Sequence, residues 1–244
     1  VTSHPQQLRL VVWTGSQNGW VSQVEVTTPA FDRTQYAVGE LDKQTANELV
    51  VRHHYLHRKP QTSHAFGLFS HGEVVGAVTF GPPASRHLQM SACPSEPDSV
   101  SELNRLWVAD ECPRNSESFF VAHALKLLPP LVVVSYADTA WGHFGYIYRA
   151  LGFRYAGWTD MERSKPRYDY IAPDNKHTRD SFRGGEARWT HRVRRKPKAK
   201  YWTVTGDRRE RRDLERIVGW PSLDWHDYPV PTEHVQLRLA KKAA

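Results

Sequence analysis

Cysteine is nearly missing from this chain. Cys93 and Cys112 are the only two in 244 residues, and they form no C-x-x-C pair. A disulfide framework and a structural zinc site are therefore not expected, and a reducing, intracellular setting fits best. Long apolar runs are missing as well. No stretch approaches the ~20 residues that a membrane span requires, and the N-terminus shows no charged segment leading into an apolar core. Neither a membrane anchor nor a secretory signal is expected. Glycine is absent from Pro113-Arg114-Asn115-Ser116-Glu117-Ser118, a segment whose other features suit anion binding. Internal repeats are not visible. What remains, 39% hydrophobic and 24% charged residues, suits one sizeable domain with extensions.

The charge is uneven. From Pro173 onward there are 18 Lys and Arg against 10 Asp and Glu, so this last third carries +8 while the rest sums to −1. A concentrated basic segment is the electrostatic footprint of phosphate-backbone binding, although a solubilising tail has the same composition.

Periodicity places the elements. Residues 8–14 and 20–27 alternate as a leader hairpin, and residues 36–41 read as a strand. Asp42 caps a helix from Lys43 to about Tyr55. Two strands, 65–69 and 73–80, flank a His71-Gly72 turn. Residues 84–99 show no period and read as a long excursion. A strand follows over 102–108, then a helix over 117–128 capped by Ser116 and stopped by Pro129-Pro130. Val132-Val133-Val134 is a buried β-branched strand that runs into Ser135-Tyr136-Ala137-Asp138. A Gly142-His143 turn then opens a helix carrying Tyr148, Gly152 stops it, and a strand spans 153–158. The basic part holds a loop over 177–185, a strand over 201–205, and an arginine-rich helix capped by Asp207. Leu214, Ile217 and Val218 would dock that helix on the core. The fold class is α/β, a mixed central sheet flanked by helices. Its parts are a leader at 1–35, a catalytic domain at 36–172 and a basic extension at 173–244.

Four constellations carry chemistry. His53-His54-Tyr55-Leu56-His57 ends the first helix, with His53 and His57 at a spacing that metals use; the plainer reading is cationic histidine at a helix C-terminus. Arg105 on its strand either holds an anion or pairs with Glu102. Residues 113–118 open a helix and make an anion site, or simply a cap. Ser135, Tyr136, Asp138, His143 and Tyr148 gather at a strand's carboxyl end, where ligands sit in open α/β sheets.

The run Tyr148-Arg149-Ala150-Leu151-Gly152-Phe153 resembles the last helix and turn of acyl-CoA-dependent N-acyltransferases, the GNAT fold. His54-Tyr55, Leu103-Asn104-Arg105-Leu106, Arg114 to Ser118, Ser135 to Asp138, Gly142-His143, Gly145 and Ile147-Tyr148 together resemble the Mom family of phage DNA-modification proteins. Lys198-Ala199-Lys200-Tyr201 and Gly206-Asp207-Arg208-Arg209 resemble that family's basic C-terminal portion. The likeness runs over about residues 36–228.

It implies a GNAT-like enzyme that converts the N6 amine of adenine in double-stranded DNA to a methylcarbamoyl form, shielding phage DNA from restriction in the host cytoplasm. His54, Tyr55, Arg105, Asp138 and Tyr148 would be catalytic, and Tyr55, Trp141 or Phe144 would either stack on the extruded base or belong to the core. Val108, Arg114, Asn115, Ser116, Ser118 and Ser135 would hold acetyl-CoA, the serine hydroxyls replacing the missing glycines. Arg192, Arg194, Arg195, Lys196, Lys198, Lys200, Arg208 and Arg209 would contact DNA. Because the product joins nitrogen to a methyl-derived carbon, the resemblance also allows a bound iron near His54, with its ligands unassigned. Two other readings stay open: a conventional acetyl-CoA-dependent N-acetyltransferase, and a catalytically silent DNA-binding module. Oligomeric state is open, a homodimer included.

Overall fold

The computed structural model describes residues 31–159, 167–173 and 189–224. The leader hairpin and the loop at 177–185 lie outside them. The elements follow in the order β1 (Tyr36–Glu40), α1 (Lys43–His53), β2 (His64–Ser70), β3 (Glu73–Gly81), α2 (Arg86–Ala92), β4 (Val100–Val108), α3 (Ser116–Leu127), β5 (Val132–Ala137), α4 (Tyr146–Ala150), β6 (Arg154–Trp158), β7 (Tyr168–Ile171), β8 (His191–Arg194), β9 (Ala199–Val204) and α5 (Arg208–Ile217). Seven strands form one sheet in the order β1-β2-β3-β4-β5-β9-β6, and β7 with β8 forms a separate ribbon. Every neighbouring pair in the large sheet is antiparallel except β4 with β5. The mixed α/β class read from the sequence is the one observed.

Local signals account for most element ends. Asp42 accepts the Thr45 backbone N–H (2.9 Å) and starts α1. His71 and Gly72 both have positive φ, 50° and 85°, as a tight hairpin turn between β2 and β3 requires. Two expectations fail. The supposed excursion at 84–99 contains α2, whose cap Ser85 accepts the Leu88 N–H; its seven residues are too few to show a helical period. Ser116 is the first residue of α3, and its cap is Asn115 in the left-handed region at φ 76°.

Two apolar layers sandwich the sheet. On one face α3 and α4 cover Leu103, Val133, Ala137 and Tyr201 through Phe120, Val121, Ala124 and Tyr148. On the other, Ala92 of α2, Leu214 of α5 and Trp220 cover Val100, Val132, Val134 and Trp202. Val132, Val133 and Val134 are all fully buried, since β5 is covered on both sides, which is why its sequence is unbroken by polar residues. Each such side chain contributes ~1.5–3 kcal/mol.

The C-terminal part is not an appendage to this sheet. β9 lies between β5 and β6, pairing Val134 with Trp202 and Tyr155 with Tyr201. Residues 199–204 thus belong to the same core as residues 36–158. Leu214, Ile217 and Val218 dock as their spacing suggested.

Candidate active site

Strands β4 and β5 pair only at their start, through Val100, Ser101 and Glu102 opposite Val132, Val133 and Val134. Beyond that point β4 runs on to Val108 and β5 to Ala137 without a shared ladder. A bulge helps to part them: Phe80 faces Leu103 and Thr79 faces Arg105, leaving Asn104 as the extra residue. Asn104 is kept in place by Thr79, whose hydroxyl donates to its Oδ1 (2.6 Å). Its Nδ2 donates to the Gln61 carbonyl (2.9 Å). Gly81 is obligatory beneath that carbonyl, because a Cβ there would lie 1.9 Å from it. With Gln61 pinned, the segment after α1 hangs His54 and Tyr55 beside the gap.

On one side of the gap sits a polar cluster. The His54 and Tyr55 rings are stacked at 4.2 Å, and Tyr55 meets Trp141 and His143, each at 5.0 Å. Asp138, one residue past β5, is ion-paired with Lys198, one residue before β9 (2.8 Å). Leu56 N–H donates to His54 Nδ1 (3.2 Å), which puts the ring proton on Nε2. Burial, reinforced by repulsion from the Arg105 cation, lowers the His54 pKa to about 4, so it is a neutral imidazole at physiological pH. Burial and the Asp138 carboxylate raise Tyr55 to about 12. Burial likewise raises Glu102 to about 7, against the pull of Arg105 and Lys198. Arg105 Nη1 donates to the Asn104 carbonyl (2.5 Å), while its buried Nε and the buried Tyr136 hydroxyl find no hydrogen-bond partner among the described residues. Unsatisfied buried donors beside a gap are what a polar ligand would complete.

On the other side, Ser135 Oγ donates to the Leu103 carbonyl (3.0 Å) and meets the Tyr148 hydroxyl (2.7 Å). With the serine proton committed to the carbonyl, the tyrosine is the donor to serine. Tyr148 stacks on Tyr201 at 4.7 Å. Between the end of β4 and the start of α3 is a recess of about 250 Å³ lined by Val108, Arg114, Asn115 and Ser116, among others. The serines there are spent differently from expectation: Ser116 Oγ donates to Pro113 O (2.6 Å) and Ser118 Oγ to Asn115 O (3.0 Å). Neither hydroxyl proton faces an incoming phosphate, which leaves Arg114 and the first N–H groups of α3 for that task.

A family model described as the Mom protein family matches residues 35–214. The chain belongs to the Mom protein family. The methylcarbamoylase Mom of Escherichia phage Mu is 34% identical over 122 residues, 46% of this chain and 49% of that relative. The chain thus spans about half the length of the curated relative it matches. Among solved structures, a GNAT-family acetyltransferase of Bacillus cereus is 10% identical with TM-score 0.40, covering 70% of this chain and 99% of its own. An acetyltransferase of Salmonella typhimurium, solved with acetyl-CoA, is 11% identical with TM-score 0.40, covering 71% and 95%.

Of the residues expected in this Mom-family site, His54, Tyr55, Arg105 and Asp138 lie in the polar cluster, and Tyr148 and Ser135 on the opposite side of β5. Lys198, expected on DNA, is ion-paired with Asp138, and Lys200 lies over the Trp220 ring (5.1 Å). Arg195 is ion-paired with Asp169. Arg192, Arg194, Lys196, Arg208 and Arg209 are exposed. Phe144 is 5% exposed and belongs to the core, so Tyr55 and Trp141 remain for stacking. The iron expectation does not fit the donor set. His53 stacks on Trp107 (4.2 Å), His57 Nδ1 donates to Val51 O (3.0 Å), and among the described residues no three His, Cys, Asp or Glu side chains converge. Glu102 was visible in sequence only as an ion partner for Arg105; its place at the parting of two strands depends on register, which sequence does not carry.

Proposed function

We propose that this chain is a Mom-type transferase that attaches a methylcarbamoyl group to the N6 amine of adenine in double-stranded DNA. The product would shield phage DNA from restriction in the host cytoplasm; acetyl-CoA would donate the two-carbon unit, with an ammonia-level nitrogen donor and a two-electron oxidant of its methyl carbon as co-reactants. The observation that carries this reading is the convergence of His54, Tyr55, Arg105 and Asp138 where β4 leaves β5, with Tyr148 presented from the other side. The recess at Val108 to Ser116 would take the nucleotide end of the donor, held by Arg114 and the α3 N-terminus. Tyr148, already a hydrogen-bond donor, would protonate the departing thiolate.

The polar cluster would receive the base. A purine amine inside a duplex is stacked away from half-buried groups such as His54, Tyr55 and Arg105, so the adenine would be extruded. Tyr55 and Trp141 offer ring faces for it, Arg105 Nε and the Tyr136 hydroxyl offer unsatisfied polar groups, and the Asp138 carboxylate, oriented by Lys198, would accept a hydrogen bond from N6. Neutral His54 adds a donor through Nε2–H. The same gap would serve plain N-acetylation, and the presence of Tyr148 favours that second reading equally.

Mass spectrometry of nucleosides from DNA co-expressed with the protein separates the two, because the methylcarbamoyl product carries one more nitrogen and one more hydrogen than an acetyl product. A modified deoxyadenosine of the heavier mass is expected. Unmodified deoxyadenosine alone, with folded protein present, would sink the proposal.

A further inference from the structure

The ribbon β7–β8 stands apart from the main sheet, and all four residues of β8 are exposed. In β7 only Tyr170 is exposed, and Tyr168, Asp169 and Ile171 are half-buried; a two-stranded ribbon is marginal in water by itself, so the exposed side chains have little packing to do for the fold. Its register sorts them. Tyr168 pairs with Arg194 and Tyr170 with Arg192, while Asp169 pairs with Val193 and Ile171 with His191. Directly opposed residues share a face. One face therefore presents two tyrosines and two arginines and no acid. The other carries Asp169, which Arg195 neutralises.

The arginine face is stiffened from within. The Arg192 guanidinium lies over the Tyr168 ring at 4.3 Å, and Tyr170 packs edge-on against Trp189 at 5.3 Å, with Trp189 52% exposed. A stacked guanidinium keeps its outer N–H groups free for planar acceptors. The ribbon is also rooted beside the active site. Arg195 N–H donates to Arg167 O (2.9 Å) at its base, the Arg167 charge reaches Tyr136, and Lys198 follows three residues later on Asp138.

We propose that the Tyr168–Tyr170–Arg192–Arg194 face of this ribbon enters the DNA major groove next to the target adenine. This rests on the reading of the chain as a DNA-modifying enzyme. The major groove admits a two-stranded ribbon, and it is the groove in which adenine displays its N6 amine and guanine its N7 and O6 acceptors. A four-residue strand pair about 13 Å long suits such an insertion. The ribbon thus supplies register and neighbouring-base contacts, where exposed charge on α5 would supply only phosphate contacts.

Two measurements on the full chain test this. In anisotropy titrations on duplex DNA containing the modified sequence and on unrelated duplex, Arg192→Ala with Arg194→Ala should weaken binding to the first about tenfold or more and narrow the difference between the two, with an unchanged thermal melt. In dimethyl sulfate footprinting of the wild-type complex, guanine N7 beside the modified adenine should be protected, and adenine N3 in the minor groove should react as in free DNA. Wild-type binding that the double variant reproduces, or a footprint confined to the minor groove, overturns the ribbon assignment and leaves the DNA reading standing. A wild-type protein that neither binds nor modifies duplex DNA overturns both. Should the double variant fail to fold, the wild-type footprint alone decides.

Discussion

At the residue scale, the decisive contacts are single hydrogen bonds and one ion pair. Tyr148 donates to a serine whose own proton is held by a backbone carbonyl. Tyr148→Phe therefore removes one buried donor and leaves Ser135 satisfied, at a cost of about 1 kcal/mol. Loss of the acid should lower modification of DNA ~100-fold or more, which nucleoside analysis against a urea unfolding curve will read. Lys198 makes a different kind of contact. Its side chain is 34% exposed and its partner Asp138 11%, so Lys198→Met should destabilise the fold by about 1 kcal/mol, less than removal of one partner from a fully buried pair. If Lys198 orients Asp138, the variant loses kcat and keeps the salt dependence of DNA binding. A change confined to KM and salt dependence would return Lys198 to the DNA-contacting set.

At the element scale, α5 is the clearest case of a helix that owes little to its own apolar surface. Of its ten residues Leu214 alone is buried, and its N-terminus is closed by a capping box in which Asp207 accepts from Arg209 and Glu210 while Glu210 accepts from Asp207. Asp207→Ala should cost about 1 kcal/mol in urea unfolding. Four arginines, Arg208, Arg209, Arg211 and Arg212, crowd the N-terminal half of α5 and oppose the helix dipole, which makes the acidic cap more valuable here than on a neutral helix. The short α3 start shows the converse. Asn115 takes a left-handed conformation without a side-chain cap bond, so its geometry serves the recess and the turn more than helix initiation.

At the scale of the whole molecule, two half-buried groups bend the pH dependence of stability in opposite directions. Glu102 holds its proton more tightly in the fold, so its contribution is full below about 4.5 and is lost as pH rises to about 7. His54 is the reverse: the unfolded chain takes the proton first, so stability is full above about 6.5 and is lost as pH falls towards about 4. Over the shared window the two slopes offset each other. Glu102→Gln should unmask the histidine, giving a protein about 2 kcal/mol more stable than wild type at pH 8 and with stability that falls on acidification. His54→Asn should unmask the carboxyl and give stability that falls as pH rises from 5 to 7. Thermal melts from pH 4 to 8 check both, and parallel curves for all three proteins would dismiss the assignment of either group.

Sequence by itself determined the elements whose signals are local: the Asp42 and Asp207 caps, the His71-Gly72 turn, the valine strand, and the order in which they follow. It also marked His54, Tyr55, Arg105, Asp138 and Tyr148, because family motifs are written in consecutive residues. Only the tertiary structure decided that β9 enters the sheet between β5 and β6, that Lys198 therefore meets Asp138, that Glu102 stands where β4 and β5 part, and that two tyrosines and two arginines share one ribbon face. These are matters of strand register. A shift of one residue reverses every side chain of a strand, and the pairing that fixes it joins segments tens of residues apart, so no window of sequence contains it.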